Sequence, residues 1–375
     1  MKKVQILALH LNYGGIEKTI SDLANNLSND FDVEIVSTYK ILDNPAYKLD
    51  KKIKVKYLMT SLKPNREALK KSFKSFRFFK FCKELSLSFK ILYLRKKLMI
   101  KEIKESSADY IISTRVFHNK LLAKYASDGV IKIGWEHNHY HNDKKYFNNV
   151  ISSVKKLDYF VLVSKGLYED YKKAMSSYSC KCVYIPNMIQ DINNKKISKL
   201  NNHNLVTVSR LSKEKGVLDL IDVIALIKDK VEDIHLDLIG DGPLYGEVQS
   251  LIKKYNLEKN VTMHGFQGID YIDEIEAKAS LYIMTSYTES FGIVLLESFS
   301  HGVPAVAFSS AEGACELINN KELLINNRNK EDMANLVVNL IDDNKMLKKY
   351  ASDLKNVLDL YKPEIVIKEW KKIIK

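Results

Sequence analysis

The chain has 375 residues, of which 46% are hydrophobic and 28% are charged, and its formal net charge is +13. This length exceeds one typical domain, so we expect two domains with substantial cores. The four cysteines are too few and too scattered for a disulfide framework and predict thiols in a reducing compartment. No apolar run approaches the roughly 20 residues of a membrane span, and the first apolar run is too short for a signal peptide.

Short apolar runs alternate with helical stretches along the whole chain, which is typical of parallel sheets in α/β domains. A first series predicts strands at residues 4–9, 33–37, 110–113, 131–135, 159–163 and 183–185. A second series predicts strands at residues 205–208, 236–239, 261–264, 281–284, 305–307 and 323–325. We therefore predict an N-terminal domain (1–190), an Asn- and Lys-rich linker (191–203), a C-terminal domain (204–360) and a terminal helical segment (361–375).

The stretch from Lys63 to Lys104, named here the basic segment, is both strongly basic and rich in phenylalanine. It contains fourteen Lys and Arg and three Glu, a net charge of +11, so the rest of the chain is close to neutral. Its phenylalanines are Phe73, Phe76, Phe78, Phe79, Phe81 and Phe89. This composition favours docking on an anionic membrane surface. A solvated helix face is the alternative, and nucleic acid is disfavoured because no recognised binding module accompanies the patch.

Glu289 and Glu297 lie eight positions apart around the start of a predicted helix, residues 291–300. At about 1.5 Å per residue, eight positions span roughly 12 Å, comparable to the distance between sugar and ribose across a nucleotide diphosphate. The N–H groups at the helix start would face the diphosphate. The alternative is an ordinary surface glutamate followed by an amphipathic helix, since Glu pairs are common.

Glycines and cations also follow predicted strands, where doubly wound sheets bind their ligands. Gly14 and Gly15 follow the first strand and let the backbone approach a ligand, although a plain strand-to-helix turn explains them too. Neither this turn nor residues 240–245 match G-x-G-x-x-G, so dinucleotide binding is not expected. Arg210 and Lys215 follow the first strand of the second domain. Two cations there can clamp a diphosphate, or both can simply be solvated.

Several short motifs, in one order along the chain, resemble those of the retaining GT-B glycosyltransferases of family 4. Besides the Glu-x7-Glu pattern, they are Gly14-Gly15, Glu136-His137-Asn138, Ile185-Pro186-Asn187, Val208-Ser209-Arg210-Leu211, Lys215-Gly216, Ile239-Gly240-Asp241-Gly242-Pro243 and His264-Gly265-Phe266. The resemblance extends over most of the chain. It implies an α/β fold of the GT-B type, in which two Rossmann-like domains with parallel sheets face each other. A C-terminal helix would cross back to the first domain.

The resemblance also implies a role for individual residues. Glu289 and His137 would be catalytic residues that contact the donor sugar. Arg210 and Lys215 would neutralise the leaving diphosphate, and Glu297 would hold the ribose. The other implied donor-binding residues are Gly15, Gly265, Phe266, Phe291, Gly292 and Ile293, with Gly14 in a phosphate or acceptor loop. Gly313 departs from the usual family turn and receives no role.

No metal site is predicted, although two patterns invite one. His137, His139 and His141 alternate, but zinc would need a fourth ligand, and the last two are expected in an acceptor cleft or at the surface. An Asp-x-Asp pair holds a divalent cation in metal-dependent GT-A transferases. Here the pattern, at residues 30–32, precedes its strand at the amino end and predicts a turn. The two cations make a metal unnecessary.

The resemblance therefore implies a cytoplasmic, metal-independent, retaining glycosyltransferase that needs no cofactor besides its nucleotide-sugar donor. It would move a hexose or N-acetylhexosamine from a UDP-sugar to a glycan or undecaprenyl-diphosphate-linked acceptor, as in capsule or O-antigen synthesis. The basic segment predicts peripheral attachment to the inner face of the plasma membrane. Alternatives are an epimerase or phosphorylase-like enzyme on the same fold, and a non-catalytic protein that binds an anionic surface. No nucleic-acid partner is expected.

Overall fold

A computed structural model describes residues 1–75 and 77–375, so Phe76 of the basic segment lies outside the described residues. The chain divides into two compact units. The first unit comprises residues 1–163, 167–185 and 367–375, and the second comprises residues 164–166 and 186–366. None of the helices among the described residues is long and apolar enough to cross a membrane.

The first unit contains a seven-stranded parallel sheet. Its strands are β1 (Lys3–Ala8), β2 (Asp32–Tyr39), β3 (Lys54–Met59), β4 (Tyr110–Ser113), β5 (Ile131–Glu136), β6 (Tyr159–Leu162) and β7 (Lys181–Tyr184). They lie in the order β3-β2-β1-β4-β5-β6-β7. The helices are α1 (Gly15–Leu27), α2 (Arg66–Lys74), α3 (Phe78–Glu105), α4 (Val116–Tyr125), α5 (Lys144–Val154) and α6 (Lys165–Ala174). The central strands β1 and β4 are almost fully buried, as expected of a parallel sheet covered on both faces.

The six strands predicted for this sheet are present, each within two residues of its predicted bounds. Strand β3 was not predicted from the sequence. This strand lies at the edge of the sheet, where Glu34 of β2 is the register partner of Lys54. Lysines alternate with apolar residues along its first half, and edge strands commonly carry such charges because they resist pairing with other chains. A half-exposed strand therefore lacks the apolar run that marks a buried one.

The chain ends on the first unit. Helix α14 (Pro363–Ile373) places the fully buried Trp370 against Trp135, with ring centroids 5.0 Å apart in an edge-on arrangement. Lys371 pairs with Asp30 at 2.6 Å, and Asp32, the first residue of β2, pairs with Lys54 at 3.2 Å. The Asp-x-Asp pattern thus lies at the amino end of β2, as predicted. The C-terminal helix returns to the first unit, as the resemblance implied.

The second unit contains a six-stranded parallel sheet. Its strands are β8 (Asn204–Val208), β9 (His235–Ile239), β10 (Val261–Gly265), β11 (Leu281–Met284), β12 (Ala305–Phe308) and β13 (Leu324–Ile325). They lie in the order β10-β9-β8-β11-β12-β13. The helices are α7 (Val217–Lys228), α8 (Tyr245–Lys254), α9 (Ile269–Glu276), α10 (Ile293–Ser300), α11 (Glu312–Leu317), α12 (Lys330–Asp342) and α13 (Asn344–Leu360). All six predicted strands are present.

Residues 191–203, predicted as a linker, lie within the second unit. The backbone N–H of Ser198 donates to His301 O at 2.8 Å, and its hydroxyl donates to Ala279 O at 2.5 Å. The side-chain amide of Asn202 donates to Lys278 O at 2.9 Å. This Asn- and Lys-rich segment is therefore held to the second unit by hydrogen bonds.

Candidate active site

Most predicted donor residues of the second unit follow the two central strands of its sheet. Strand β8 lies between β9 and β11: the chain adds β9 and β10 on one side of β8 and then crosses to add β11 on the other side. Open α/β sheets bind ligands in the crevice that forms at such a point, beyond the carboxyl ends of the strands. The loop after β8 (residues 209–216) and the loop after β11 (residues 285–292) meet there, since Tyr287 N–H donates to Glu214 O at 2.9 Å.

Gly216 allows these two loops to approach each other. Its φ is +63°, and a Cβ there would lie 2.0 Å from Thr285 O, closer than any side chain permits. The Thr285 hydroxyl donates to Lys215 O at 3.3 Å. The glycine of the Lys215-Gly216 motif is therefore required by loop packing, which also places Lys215 at the crevice.

Lys215 and Glu289 form an ion pair between the two loops. Lys215 Nζ lies 2.5 Å from Glu289 Oε2, and their side chains are 26% and 15% exposed. A cation and a carboxylate interact more strongly where water is partly excluded than on an open surface. The residues predicted for the leaving diphosphate and for the donor sugar are thus in direct contact.

Arg210 lies in the same loop with its side chain exposed. The charges of Arg210 and Lys215 both act on Glu214. Partial burial alone would raise the pKa of Glu214, but a hydrogen bond from Ser212, a backbone hydrogen bond and these two cations lower it below its ordinary value. Both predicted cations therefore lie close enough to one carboxylate to create a local positive field, which suits an anionic ligand.

The helix after Glu289 begins later than predicted. Helix α10 starts at Ile293. Gly292 before it has a φ of +87°, a left-handed conformation that cannot be part of a right-handed α-helix, so the helix cannot begin at residue 291. Phe291 lies in the loop, and its buried ring contacts Tyr361 with centroids 5.5 Å apart. Phe291 is therefore a packing anchor of the loop, and its side chain is directed into the unit.

The remaining donor residues of this unit also follow strands or open a helix. Glu297 lies half-buried in the second turn of α10, as predicted. Gly265 ends the edge strand β10 with a φ of +65°, and its carbonyl accepts from Gly240 N–H at 2.8 Å. Phe266, the next residue, is 56% exposed. Gly265 and Phe266 thus start two strands away from β8, on the same carboxyl edge.

Gly14 and Gly15 follow β1 in the first unit. Gly15 is the first residue of α1. Gly14 N–H donates to the Tyr47 hydroxyl at 3.2 Å, and a Cβ at Gly14 would lie 2.4 Å from Glu17 Oε2. A side chain at Gly14 would therefore displace the buried carboxylate of the first helical turn, whereas the space around Gly15 is open.

His137 directly follows β5 and is 9% exposed. Its ring lies against Trp135 with centroids 4.2 Å apart, and Nε2 is buried with no hydrogen-bond partner in the described part of the chain. Burial and the charge of Arg115 lower the pKa of His137 to about 3, so the imidazole is neutral near pH 7. A neutral ring nitrogen in this state can exchange a hydrogen bond with a bound hydroxyl group.

Glu136 and His139 order the turn around His137. One carboxylate oxygen of Glu136 accepts the N–H groups of His137 and Asn138, at 3.1 and 2.9 Å. His139 was expected either in an acceptor cleft or at the surface. It is buried and stacks on Tyr140, so it is not a surface residue. Its Nδ1 accepts from His141 N–H at 2.9 Å.

Comparison with known proteins identifies the family. Residues 188–356 match the family model described as Glycosyl transferases group 1. This match identifies residues 188–356 as a group 1 glycosyltransferase domain, and the protein is a glycosyltransferase. It is 27% identical, over 95% of its length, to N-acetylgalactosamine-N,N'-diacetylbacillosaminyl-diphospho-undecaprenol 4-alpha-N-acetylgalactosaminyltransferase of Campylobacter jejuni, of which it covers 94%. It is 24% identical over its whole length to an exopolysaccharide phosphotransferase of Streptomyces coelicolor, but spans only 40% of that protein.

The fold of this glycosyltransferase is of the GT-B type. It is similar to that of a Staphylococcus aureus TarM mutant solved with fondaparinux, alpha-GlcNAc-glycerol and UDP. The TM-score is 0.79 at 16% sequence identity, and the similarity covers 100% of this chain and 99% of that one.

Two residues that the sequence analysis did not select support the loop after β11 in the glycosyltransferase. Gly313 is the first: its N–H donates to Glu289 O at 2.9 Å, and a Cβ there would lie 2.5 Å from Phe291 N. Any side chain at this position would push against the backbone that carries Glu289. The one feature of the sequence that could have indicated this role is the position of Gly313 inside the short helix α11, where glycine is unfavourable.

Arg328 is the second. Its guanidinium donates to Thr285 O at 2.9 Å and to Ser286 O at 3.0 Å. It forms an ion pair with Asp219 at 2.5 Å and lies 3.5 Å from the centroid of the Tyr287 ring. A planar fork of donors that also stacks on an aromatic ring fits arginine and not lysine. The sequence provides no local signal, because Arg328 follows the loop by about forty residues.

Proposed function

We propose that this glycosyltransferase is a retaining, metal-independent enzyme that transfers a hexose or N-acetylhexosamine from a UDP-sugar to a lipid-linked or polysaccharide precursor of a surface glycan. The acceptor hydroxyl approaches beside the departing phosphate. Its oxygen bonds to the anomeric carbon, the bond to the diphosphate breaks, and a phosphate oxygen takes the proton. The protein contributes position and charge stabilisation.

The contact between Lys215 and Glu289 carries this proposal. It joins a cation and a hydroxyl-binding carboxylate at the switch point of the second sheet. Binding of a sugar diphosphate requires a carboxylate and a cation at adjacent positions. The sugar hydroxyl groups donate hydrogen bonds to the carboxylate, and the phosphates are attracted to the cation. Arg210 adds a second cation from the same loop, and the ammonium and guanidinium together replace a divalent metal on the leaving group. Glu297 and His137 keep their predicted ribose and donor-sugar roles within this proposal.

The names of similar proteins support the donor and acceptor classes. The Campylobacter jejuni relative is named as a transferase acting on a diphospho-undecaprenol-linked sugar, and the similar TarM structure contains UDP. We therefore extend the proposal to a UDP-sugar donor and to an acceptor that includes undecaprenyl-diphosphate-linked glycans. The acceptor would be reached from the cytoplasmic face of the membrane.

The basic segment supports peripheral attachment to that membrane. Thirteen of its fourteen Lys and Arg side chains are exposed; the half-buried exception is Arg95, which lies over the Phe117 ring at 4.1 Å. An array of exposed cations attracts anionic lipid headgroups, with about 1 kcal/mol for each cation near the surface. The charge distribution therefore suits docking on an anionic leaflet.

The apolar residues of α3 separate into a packed set and an exposed set. Ile91 belongs to a core cluster with Tyr39 and Met59, joined by partly buried leucines of α3: Leu87, Leu94 and Leu98. Large aromatic residues of α3 remain outside this core: Phe78, Phe79, Phe89 and Tyr93 are exposed, as is Phe73 of α2, and Phe79 is 89% exposed. Rings that are left out of the core beside many cations can insert at the headgroup boundary.

A screen of UDP-hexoses and UDP-N-acetylhexosamines tests the proposed reaction. We expect one donor to be hydrolysed slowly without an acceptor and transferred with retained anomeric configuration to an undecaprenyl-diphosphate-linked saccharide. Proton NMR of the product gives the configuration. An inverted product would contradict the retaining mechanism. Conversion of the nucleotide sugar to its epimer would favour the epimerase alternative, and absence of UDP binding would favour a non-catalytic surface-binding protein.

A further inference from the structure

A buried cluster in the second unit lies outside the residues assigned to the sugar donor. It consists of Asp273 and Glu276 on α9 and His301, which caps the carboxyl end of α10. One potential ligand atom from each residue lies within 4.8 Å of the other two. His301 Nε2 is 3.1 Å from Asp273 Oδ1 and 3.9 Å from Glu276 Oε2. Nitrogen and two carboxylate oxygens therefore converge on one point.

The surroundings of His301 determine which ring nitrogen faces the carboxylates. Nδ1 lies 2.8 Å from the backbone carbonyl of Lys196, which can only accept, so Nδ1 carries the hydrogen. Nε2 is then the lone-pair nitrogen of the neutral imidazole, and it faces two other acceptors. Three acceptors in contact require a proton or a metal ion between them.

Of these two possibilities, the position of Glu276 favours the metal ion. Its side chain is fully buried, and neither carboxylate oxygen has a hydrogen-bond partner among the described residues. A proton on His301 Nε2 would satisfy Asp273 at 3.1 Å and leave Glu276, at 3.9 Å, without a donor. An unsatisfied buried carboxylate is costly. A metal ion among the three atoms satisfies both carboxylates and the imidazole at once.

We propose that Asp273, Glu276 and His301 bind a zinc ion. Zinc prefers imidazole nitrogen and carboxylate oxygen at about 2.0–2.2 Å in a tetrahedral arrangement, for which ligand atoms lie roughly 3.3 Å apart. The two separations from His301 Nε2 are 3.1 and 3.9 Å, and one ligand atom of each residue lies within 4.8 Å of the other two, so the side chains must move closer together to reach it. Water would complete the fourth position, on the side where Asp273 is partly exposed.

Groups that orient metal ligands are also in place. Metal-bound histidines commonly donate their other N–H to a backbone carbonyl, as His301 does to Lys196. The Lys195 ammonium forms an ion pair with Asp273 Oδ2, which leaves Oδ1 directed at His301. The ion would join α9, the end of α10 and the segment around residue 195. Because α10 also carries Glu297, the zinc would stabilise the helix that bears a proposed ribose ligand without contacting the donor.

The test uses untagged full-length protein loaded with zinc and freed of excess metal. We expect about one zinc per chain by elemental analysis and a higher Tm than in the chelator-treated protein. Glu276→Gln keeps the size of the side chain and should weaken zinc binding at least about 100-fold, since even outer contacts of metal sites contribute 10–100-fold. Chelation should then leave the Tm of this variant unchanged.

His203→Gln is the matched control, because His203 pairs with Asp233 at 2.8 Å in the same unit and has no third ligand among the residues that the structure describes. It should bind zinc as the parent does. Replacing zinc with cobalt provides a second measurement, a tetrahedral visible absorption that Glu276→Gln should lose. Zinc far below one per chain in the loaded parent, or equal zinc in Glu276→Gln and the parent, would overturn the proposal. Neither result bears on sugar transfer, so failure here is distinguishable from failure of the proposed function.

Discussion

Lys215 Nζ lies 2.5 Å from Glu289 Oε2, although the two residues are 74 positions apart in the chain. Each comes from a loop at the carboxyl edge of the second sheet, on one of its two central strands. The cation proposed for the diphosphate and the carboxylate proposed for the sugar therefore position each other. A substitution of one must alter the other, which makes their effects on catalysis interdependent.

The first prediction concerns this ion pair. Glu289→Ala and Lys215→Ala should each lower kcat/KM at least about 100-fold, the range of lost transition-state contacts. The double variant should lose much less than the product of the two single losses, because the residues act as a unit. Glu297→Ala should instead raise the KM for the donor. Steady-state kinetics with the correct donor measures all four variants, and near-parent values for Glu289→Ala would refute the site.

The second prediction is that transfer requires no divalent metal at the diphosphate. Activity should persist after EDTA treatment with no added Mg²⁺ or Mn²⁺, because Arg210 and Lys215 carry the charge of the leaving group. Complete loss in EDTA that Mg²⁺ or Mn²⁺ restores would contradict this. Restoration by zinc alone, together with a recovered Tm, would instead indicate the site at His301.

The third prediction tests Arg328 as a residue that positions the loop after β11. Arg328→Lys keeps the charge near Asp219 but loses the planar fork to two backbone carbonyls, which should cost about 2–3 kcal/mol of unfolding free energy. It should also raise the KM for the donor more than it changes kcat. Urea denaturation and kinetics give both values. A variant that matches the parent in both would show that the guanidinium contacts are dispensable.

The fourth prediction concerns membrane docking. The protein should sediment with anionic vesicles and much less with neutral ones, and attraction should weaken as salt shortens the Debye length from about 10 Å at 0.1 M to about 3 Å at 1 M. Lys80→Glu with Lys83→Glu should weaken binding, and Phe78→Ser with Phe79→Ser should remove a salt-resistant part.

The matched control for docking is Lys348→Glu with Lys349→Glu, which changes two exposed lysines of α13 in the other unit. It should bind vesicles as the parent does. Equal binding of the parent to anionic and neutral vesicles, or binding to neither, would make the basic segment a solvated helix face. A soluble acceptor would then be the better hypothesis.

The fifth prediction concerns acid stability. Burial and the charges of Arg115 and Arg95 lower the pKa of His118 from 6.5 to about 3. The unfolded chain therefore binds more protons than the folded one between those values, and stability falls as the pH decreases below 6.5. From pH 6.5 to about 5 the loss is about 2 kcal/mol from this residue.

His118→Gln should remove that part of the pH dependence, whereas His203→Gln, at a partly exposed site, should keep it. Urea denaturation at a series of pH values measures both. An unchanged slope in His118→Gln would contradict the assignment.

The sequence by itself determined the two sheets and most of the candidate donor residues. Alternating apolar runs predict parallel strands, and the carboxyl ends of parallel strands share one edge. Position therefore placed Lys215 and Glu289 at the same edge of one sheet, and the resemblance to a known family implied that they share a site. The first turn of α10 was predicted two residues early, because the positive φ of Gly292 depends on how the loop packs.

Only the tertiary structure revealed the residues that support this site. Gly313 matters because its missing Cβ leaves room for the backbone at Phe291, and Arg328 because it reaches two carbonyls far from it in sequence. Contacts with backbone carbonyls, and the space that a missing Cβ leaves, do not depend on the type of the contacted residue. No sequence pattern can therefore predict them. The convergence of Glu276 and His301 likewise depends on how α9 packs beside the end of α10. Local chemistry follows from the sequence, whereas contacts between distant segments exist only once the chain has folded.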